Sequence, residues 1–456
     1  MPKLERENVQ AIILEPYKYP TSRHLIFRFE DTNGARRFIA AWETKVTMGD
    51  RDLTEFPEPL INLSLTWNGI KKLKPFEGVG GNEAAERAFP WHFKDPPDRE
   101  SLRVAGPSAP EKWWHQQISG NDIDLIVHLY CRTDETLQAA TSAIRMSAAS
   151  LEVQELIPTS DGEAITGRAF AGRQLHFGYQ DGISHPPVNW DQDPDCPDLL
   201  PRGMFLIDEW IEDAQSFPRH PPFRDFAHHG SYMAFVWIYQ DVAAFRRYLK
   251  EAGPQLRPDI SPSDAEEWLA AKLMGRWRSG APLALAPEND DPALSMANDF
   301  NYSSDRHGTR CPFAAHIRIV NGRDQPLNFR NASMFPSGFP QVLRRGTPYG
   351  ADLVGDQDDG SDRGVVGMFV CANLNQQFFP LTRWIGKTDF SDVYSNKRGQ
   401  DPLLGHREFP DASSDFEIPG KPSVVLRGLP SFVRLQGVAL TFLPSRITLK
   451  TLAALA

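Results

Sequence analysis

The chain has 456 residues, with 49 Lys and Arg against 59 Asp and Glu, and a formal net charge of −10. An acidic chain with no basic block is a poor partner for phosphate backbones, so sequence-independent nucleic-acid binding is excluded. The four cysteines, Cys131, Cys196, Cys311 and Cys371, include no Cys-x-x-Cys pair, which excludes a zinc ribbon, a thioredoxin motif and a disulfide scaffold.

The opening MPKLERENVQ is charged and runs into no apolar stretch with a small-residue cleavage site. No window approaches ~18 apolar residues. These features lead us to expect a cytoplasmic protein without a membrane partner.

In chain order, runs rich in β-branched and aromatic residues predict strands at Val9–Leu14, His24–Phe29, Leu60–Thr66 and Leu125–Tyr130. An amphipathic helix follows over Thr136–Leu151. Further on come a strand at Tyr232–Tyr239, helices at Val242–Glu251 and Asp264–Trp277, and strands at Val365–Cys371 and Val433–Phe442. Ser261 and Ser263 are N-cap candidates for the helix at 264. Pro-, Gly- and Asp-rich stretches fall near 74–112, 185–204, 285–313, 350–364 and 398–424, and long loops of that kind usually carry function. Strands with segregated helices indicate an α+β fold rather than a doubly wound parallel sheet. The strand–helix order occurs once before residue 160 and again after 230, suggesting two similar halves. GVGGNE at 78–83 is not a dinucleotide fingerprint, because Glu83 stands where the third glycine belongs.

Three segments stand out: HFGYQDGISHPP at 176–187, CPFAAHIRIVNGRD at 311–324 and LRRGTPYG at 343–350. Taken singly, each has an ordinary structural reading. Asp181 between Gly178 and Gly182 suits a turn. His316 is one of 12 histidines, and a lone histidine is usually a hydrogen-bonded structural residue. Arg344 and Arg345 could be a solvated or ion-paired face.

As a set, these segments resemble the dye-decolorizing peroxidase family, in its branch of longer sequences. The resemblance rests on Gly178-Tyr179-Gln180-Asp181-Gly182 as its GxxDG motif, on CPFAAHIR around His316, and on Arg344 followed by Pro348-Tyr349-Gly350. His316 follows Asp181 by 135 residues and Arg344 follows His316 by 28, an order and spacing that suit the family. RENVQAIIL at 6–14, AEEWLAAKLMGRW at 265–277 and VGMFVCANLNQQFFPLTRW at 366–384 extend the likeness over nearly the whole chain.

The resemblance implies two ferredoxin-like halves with antiparallel sheets, residues 1–205 carrying the GxxDG motif and residues 206–456 holding the haem. It implies one haem b per chain, with His316 as axial ligand and Asp401 as the acid on its far nitrogen. An Asp-Pro turn is the other reading of Asp401. Asp181 is the implied proton carrier and Arg344 the fixed positive charge. Arg318 is expected either to meet a haem propionate or to form an ordinary surface ion pair, and Phe369 is expected to contact the haem. Tyr349 and Trp384 are expected to relay electrons from the surface. Hydrogen peroxide and a bulky aromatic donor are the implied reactants, and a homodimer is one open assembly.

Some stretches depart from the family. Gly203–Glu209 reads GMFLIDE, and Val236 in HGSYMAFVW stands where an arginine is usual. The region 74–112 is weakly matched. These departures bear on the haem edge and its access channel. Two other functions compete with the enzyme: a haem carrier or sensor without turnover, and a cofactor-free α+β interaction protein.

Overall fold

Runs of β-branched and aromatic side chains, buried on both faces, build a ten-stranded antiparallel sheet. The computed structural model describes residues 3–53, 57–81, 83, 86, 89–196, 199–210, 221–325, 340–386 and 399–456. The sheet strands are β1 Thr21–Phe29, β2 Leu60–Leu65, β3 Leu125–Cys131, β4 Val153–Leu156 and β5 Ile165–Arg168. They continue with β6 Ser231–Gln240, β7 Leu343–Arg344, β8 Thr347–Tyr349, β9 Gly364–Cys371 and β10 Val433–Leu443.

Each half repeats one spatial order. In the first, β4 and β5 lie on β1, then β3, then β2; in the second, β10 lies on β6, then β9, then β7. In both, the fourth strand neighbours the first and the third separates the first from the second. This is the expected pair of ferredoxin-like halves. Their sheets are fused, however. Leu65 pairs with Phe442 to join β2 to β10, and Gly167 pairs with Tyr349 to join β5 to β8. Because β8 also pairs with β9, the strands close into a ring.

The helices begin where short polar side chains can cap them. Asp31 caps Thr32–Trp42, Thr133 caps Asp134–Ser150, Asp241 caps Val242–Leu256 and Ser261 caps Pro262–Met274. The last helix stops three residues short of the expected Trp277. Gly275 adopts φ 91°, and a Cβ there would lie 2.5 Å from the Ile317 side chain.

One expected strand is corrected. Val9–Leu14 is not extended: Gln10 makes a single bridge with Met48, and Ala11–Leu14 is a short buried helix. Two long side chains replace a strand partner. The Gln10 amide donates to Leu63 and Pro444 carbonyls at 2.8 and 2.9 Å, and the Arg345 guanidinium donates to Ile12 and Ile13 carbonyls at 2.6 and 2.9 Å. An apolar run this short does not distinguish helix from strand by period. Among the described residues, no helix is long and apolar enough to cross a membrane.

Candidate active site

Strands β6, β9 and β10 wall one side of a cavity of about 350 Å³, within the size range of cofactor sites. Val236, Ile238, Val365, Val433, Leu435 and Val438 give it an apolar surface. Asp181, His316, Arg344 and Phe369 all line this same cavity.

His316 opens a short helix, His316–Val320, so its side chain sits where the chain turns from the CPFAA loop into regular structure. Its Nδ1–H donates to Asp401 Oδ2 at 2.6 Å. Asp401 is fully buried, and its other oxygen accepts the Leu403 and Leu404 amides at 2.9 Å each. Burial pushes the Asp401 carboxyl up, but the His316 charge, its hydrogen bond and those amides more than offset this, and the net direction is down. The carboxylate therefore fixes the ring and its tautomer, leaving Nε2 as the free donor atom.

Asp181 sits on a loop that only glycine can frame in this way. Gly178 and Gly182 have φ 88° and 80°, and a Cβ at Gly178 would lie 2.9 Å from Arg278 Cδ. The Asp181 amide donates to the Arg173 carbonyl at 2.8 Å, and Tyr179 anchors the loop by donating to the Ala270 carbonyl at 2.8 Å. Arg344 pairs with Phe369 across β7 and β9. Its guanidinium donates to the Ser184 carbonyl at 3.2 Å, which ties it to the Asp181 loop. The neighbouring Arg345 turns the other way, into the Ala11–Leu14 helix.

Arg318 does not line the cavity. It is buried in an ion pair with Asp305 at 2.9 Å, also donates to Cys311 and Gln325, and stacks on Tyr302 and Phe313. Neither expected reading of Arg318 describes this: it forms an ion pair, but a buried one rather than one at the surface. Besides Arg344, the guanidiniums of Arg276 and Arg323 line the cavity, both missed in the sequence. They share the Asn298 side-chain oxygen, at 3.3 and 2.7 Å, and among the described residues neither is ion-paired with a carboxylate. Burial, then the Arg323 charge, lowers Arg276 to about 10, and burial lowers Arg323. Two cations at one wall, Arg276 buried and Arg323 half-buried, without an ion-paired carboxylate among the described residues, call for an anion. His406 was also missed: it lines the cavity, and burial, then Arg407, lowers it to about 4.

Tyr349 and Trp384 are each only 6% exposed, so neither is the surface residue expected. The Tyr349 hydroxyl donates to Gln436 at 2.6 Å or Asp362 at 3.0 Å. Of the departing stretches, Val236 lines the cavity, Gly203–Glu209 does not, and among the described residues of 74–112 Leu102 alone lines it.

No family model matches the chain. A dye-decolorizing peroxidase from Exidia glandulosa is 30% identical over 424 residues, covering 88% of this chain and 78% of that protein. The chain belongs to the dye-decolorizing peroxidase family. Peroxidase 2 of Mycetinis scorodonius is 28% identical over 432 residues, 88% of this chain and 77% of that protein. Dye-decolorizing peroxidase msp1 of the same fungus is 30% identical over 281 residues, 57% of this chain and 52% of that protein. The structure of an ancestral D-type dye decolorizing peroxidase superposes with a TM-score of 0.81 at 25% identity, covering 98% of this chain and 99% of that one. This family membership makes the chain a haem-dependent peroxidase. The residues present fit that cofactor: an apolar cavity of suitable size, an imidazole with a free Nε2, and two cations without acid partners among the described residues.

Proposed function

We propose that the cavity takes one haem b per chain and that the protein uses hydrogen peroxide to oxidise bulky aromatic donors in one-electron steps. The observation that carries this is the His316–Asp401 hydrogen bond at a cavity that Asp181 and Arg344 also line. His316 Nε2 would hold the haem iron, made more basic by the buried carboxylate. Arg276 and Arg323 would receive the two propionates. Phe369, opposite Arg344 in the β7–β9 pairing, would pack on the ring.

Haem, when bound, supplies the redox chemistry of peroxide cleavage. With haem in place, the Asp181 carboxylate would accept a proton from hydrogen peroxide and give it up again, so one carboxylate would serve both transfers. Arg344 holds positive charge beside the oxygen pair as it polarises. The apolar strands keep bulk water away from these groups. A haem carrier would need neither Asp181 nor Arg344. Tyr349 suits an internal electron relay, because the Asp362 carboxylate at 3.0 Å stands ready to accept its proton.

The test is an absorption spectrum before and after one equivalent of peroxide. The expected result is a Soret band of ferric haem that changes on addition and is absent from His316→Ala. A normal Soret band in that variant removes the ligand assignment, and a spectrum indifferent to peroxide removes the enzyme reading.

A further inference from the structure

A second cluster of ligating side chains lies apart from the cavity. One donor atom each from Glu5, His228 and His229 falls within 4.8 Å of the others, and none of the three residues lines the cavity. We propose that Glu5, His228 and His229 form a site for a borderline divalent transition ion of the zinc class, with Asp208 orienting His228.

The support comes from how each ligand is held. His228 Nδ1 donates to Asp208 Oδ2 at 2.5 Å, and Asp208 is only 6% exposed. This repeats the His316–Asp401 arrangement, in which a buried carboxylate fixes the ring and leaves Nε2 to ligate. The other Asp208 oxygen accepts the His229 amide at 3.0 Å. His229 adopts φ 55°, which lays its ring over that of His228 with centroids 3.8 Å apart. His229 is 6% exposed, and its Nδ1 is buried without a hydrogen-bond partner. Glu5 is exposed, and its carboxylate is steered by Asn8 at 2.7 Å. The neighbouring Glu209 is taken by Arg202.

Two imidazoles and one carboxylate select zinc-like ions over magnesium or calcium, and three protein ligands leave a fourth position for water. Bonds of roughly 2.0–2.2 Å put tetrahedral ligands about 3.4 Å apart, so coordination needs movements on the order of 1 Å and a turn of the stacked His228 and His229 rings toward the ion. A bound ion would clamp the segment around Glu5 to the entry of β6, the strand whose Val236, Ile238 and Gln240 reach the cavity.

The test is zinc titrated into the full chain after chelator treatment, read by isothermal titration calorimetry and by metal content. The expected result is one zinc ion per chain and a Tm that rises with zinc. His228→Ala and His229→Asn should each weaken binding at least tenfold; asparagine tolerates the left-handed backbone of residue 229. Asp208→Asn should weaken it ~10–100-fold. If His228→Ala fails to fold, as judged by circular dichroism, Glu5→Gln on the exposed side carries the same expectation. Absence of zinc binding in the unaltered protein, or unchanged affinity in the folded variants, overturns the site.

Discussion

His316 and Asp401 lie 85 residues apart in sequence and 2.6 Å apart in space, joined by one hydrogen bond inside a fully buried carboxylate pocket. Asparagine at 401 would keep the volume and remove the charge. Asp401→Asn should retain haem, raise its midpoint potential and slow the reaction with peroxide ~10–100-fold. Spectroelectrochemistry and stopped-flow absorption check this. An unchanged potential would deny Asp401 its electrostatic role.

The Ser184 carbonyl ties Arg344 to the loop that carries Asp181, so each variant should be read beside the other. Asp181→Asn should bind haem normally and lose ~10²–10⁴ in the rate of peroxide reaction. Arg344→Leu should lose ~10²–10³. Stopped-flow rates at fixed pH decide the matter, and a wild-type rate in Asp181→Asn sinks the proton-carrier assignment.

Arg318 and Arg323 should separate cleanly. Arg318→Gln strands the buried Asp305 carboxylate and should cost roughly 3–5 kcal/mol of stability. Arg323→Gln removes one of two like charges and should leave the apoprotein nearly as stable while weakening haem retention. Urea unfolding and haem-transfer kinetics distinguish the two.

Acid should weaken the fold before it touches Asp401. Burial lowers His24 to about 3 and His92 to about 4, and burial followed by the Arg407 charge lowers His406 to about 4. The unfolded chain binds these protons near pH 6.5 and the folded chain does not. Stability is therefore complete above about 6.5 and is lost as pH falls toward the folded values, by roughly 3 kcal/mol for a shift of about 2.5 units. Asp401, whose folded value is depressed, adds a further loss only below its unfolded value of about 4. Thermal melts across pH 4–7 should show a falling Tm, and His24→Gln should flatten part of that slope.

The three cavity-lining segments were legible as a set, through family likeness; taken singly, a Gly-framed Asp, a lone His and an Arg before a Gly-Thr-Pro turn each had an ordinary reading. Asp401 was legible only through family likeness, since nothing near GQDPLLG points to His316. What the sequence concealed depends on tertiary pairing. Arg318 and Arg323 read alike as arginines near His316, yet Asp305 claims the first and leaves the second facing the cavity. Arg276, on the turn after the Pro262–Met274 helix, offered no signal at all. The Val9–Leu14 run failed because Gln10 and Arg345, through their side chains, took over the hydrogen bonds that a strand neighbour would have made. The two halves were visible as a repeated element order, but their fusion rests on two single bridges, Leu65–Phe442 and Gly167–Tyr349, that no local pattern encodes.

That fusion bears on how the chain is made. Phe442 must emerge from the ribosome before it can meet Leu65, a partner synthesised 377 residues earlier. The first half can arrange its own strands during translation, but its outer strand stays uncovered until the last tenth of the chain arrives. Contacts of such long range fold slowly and expose strand edges while they wait. Recombinant yield should therefore depend more on slowing synthesis and lowering temperature than on any change within the catalytic cavity.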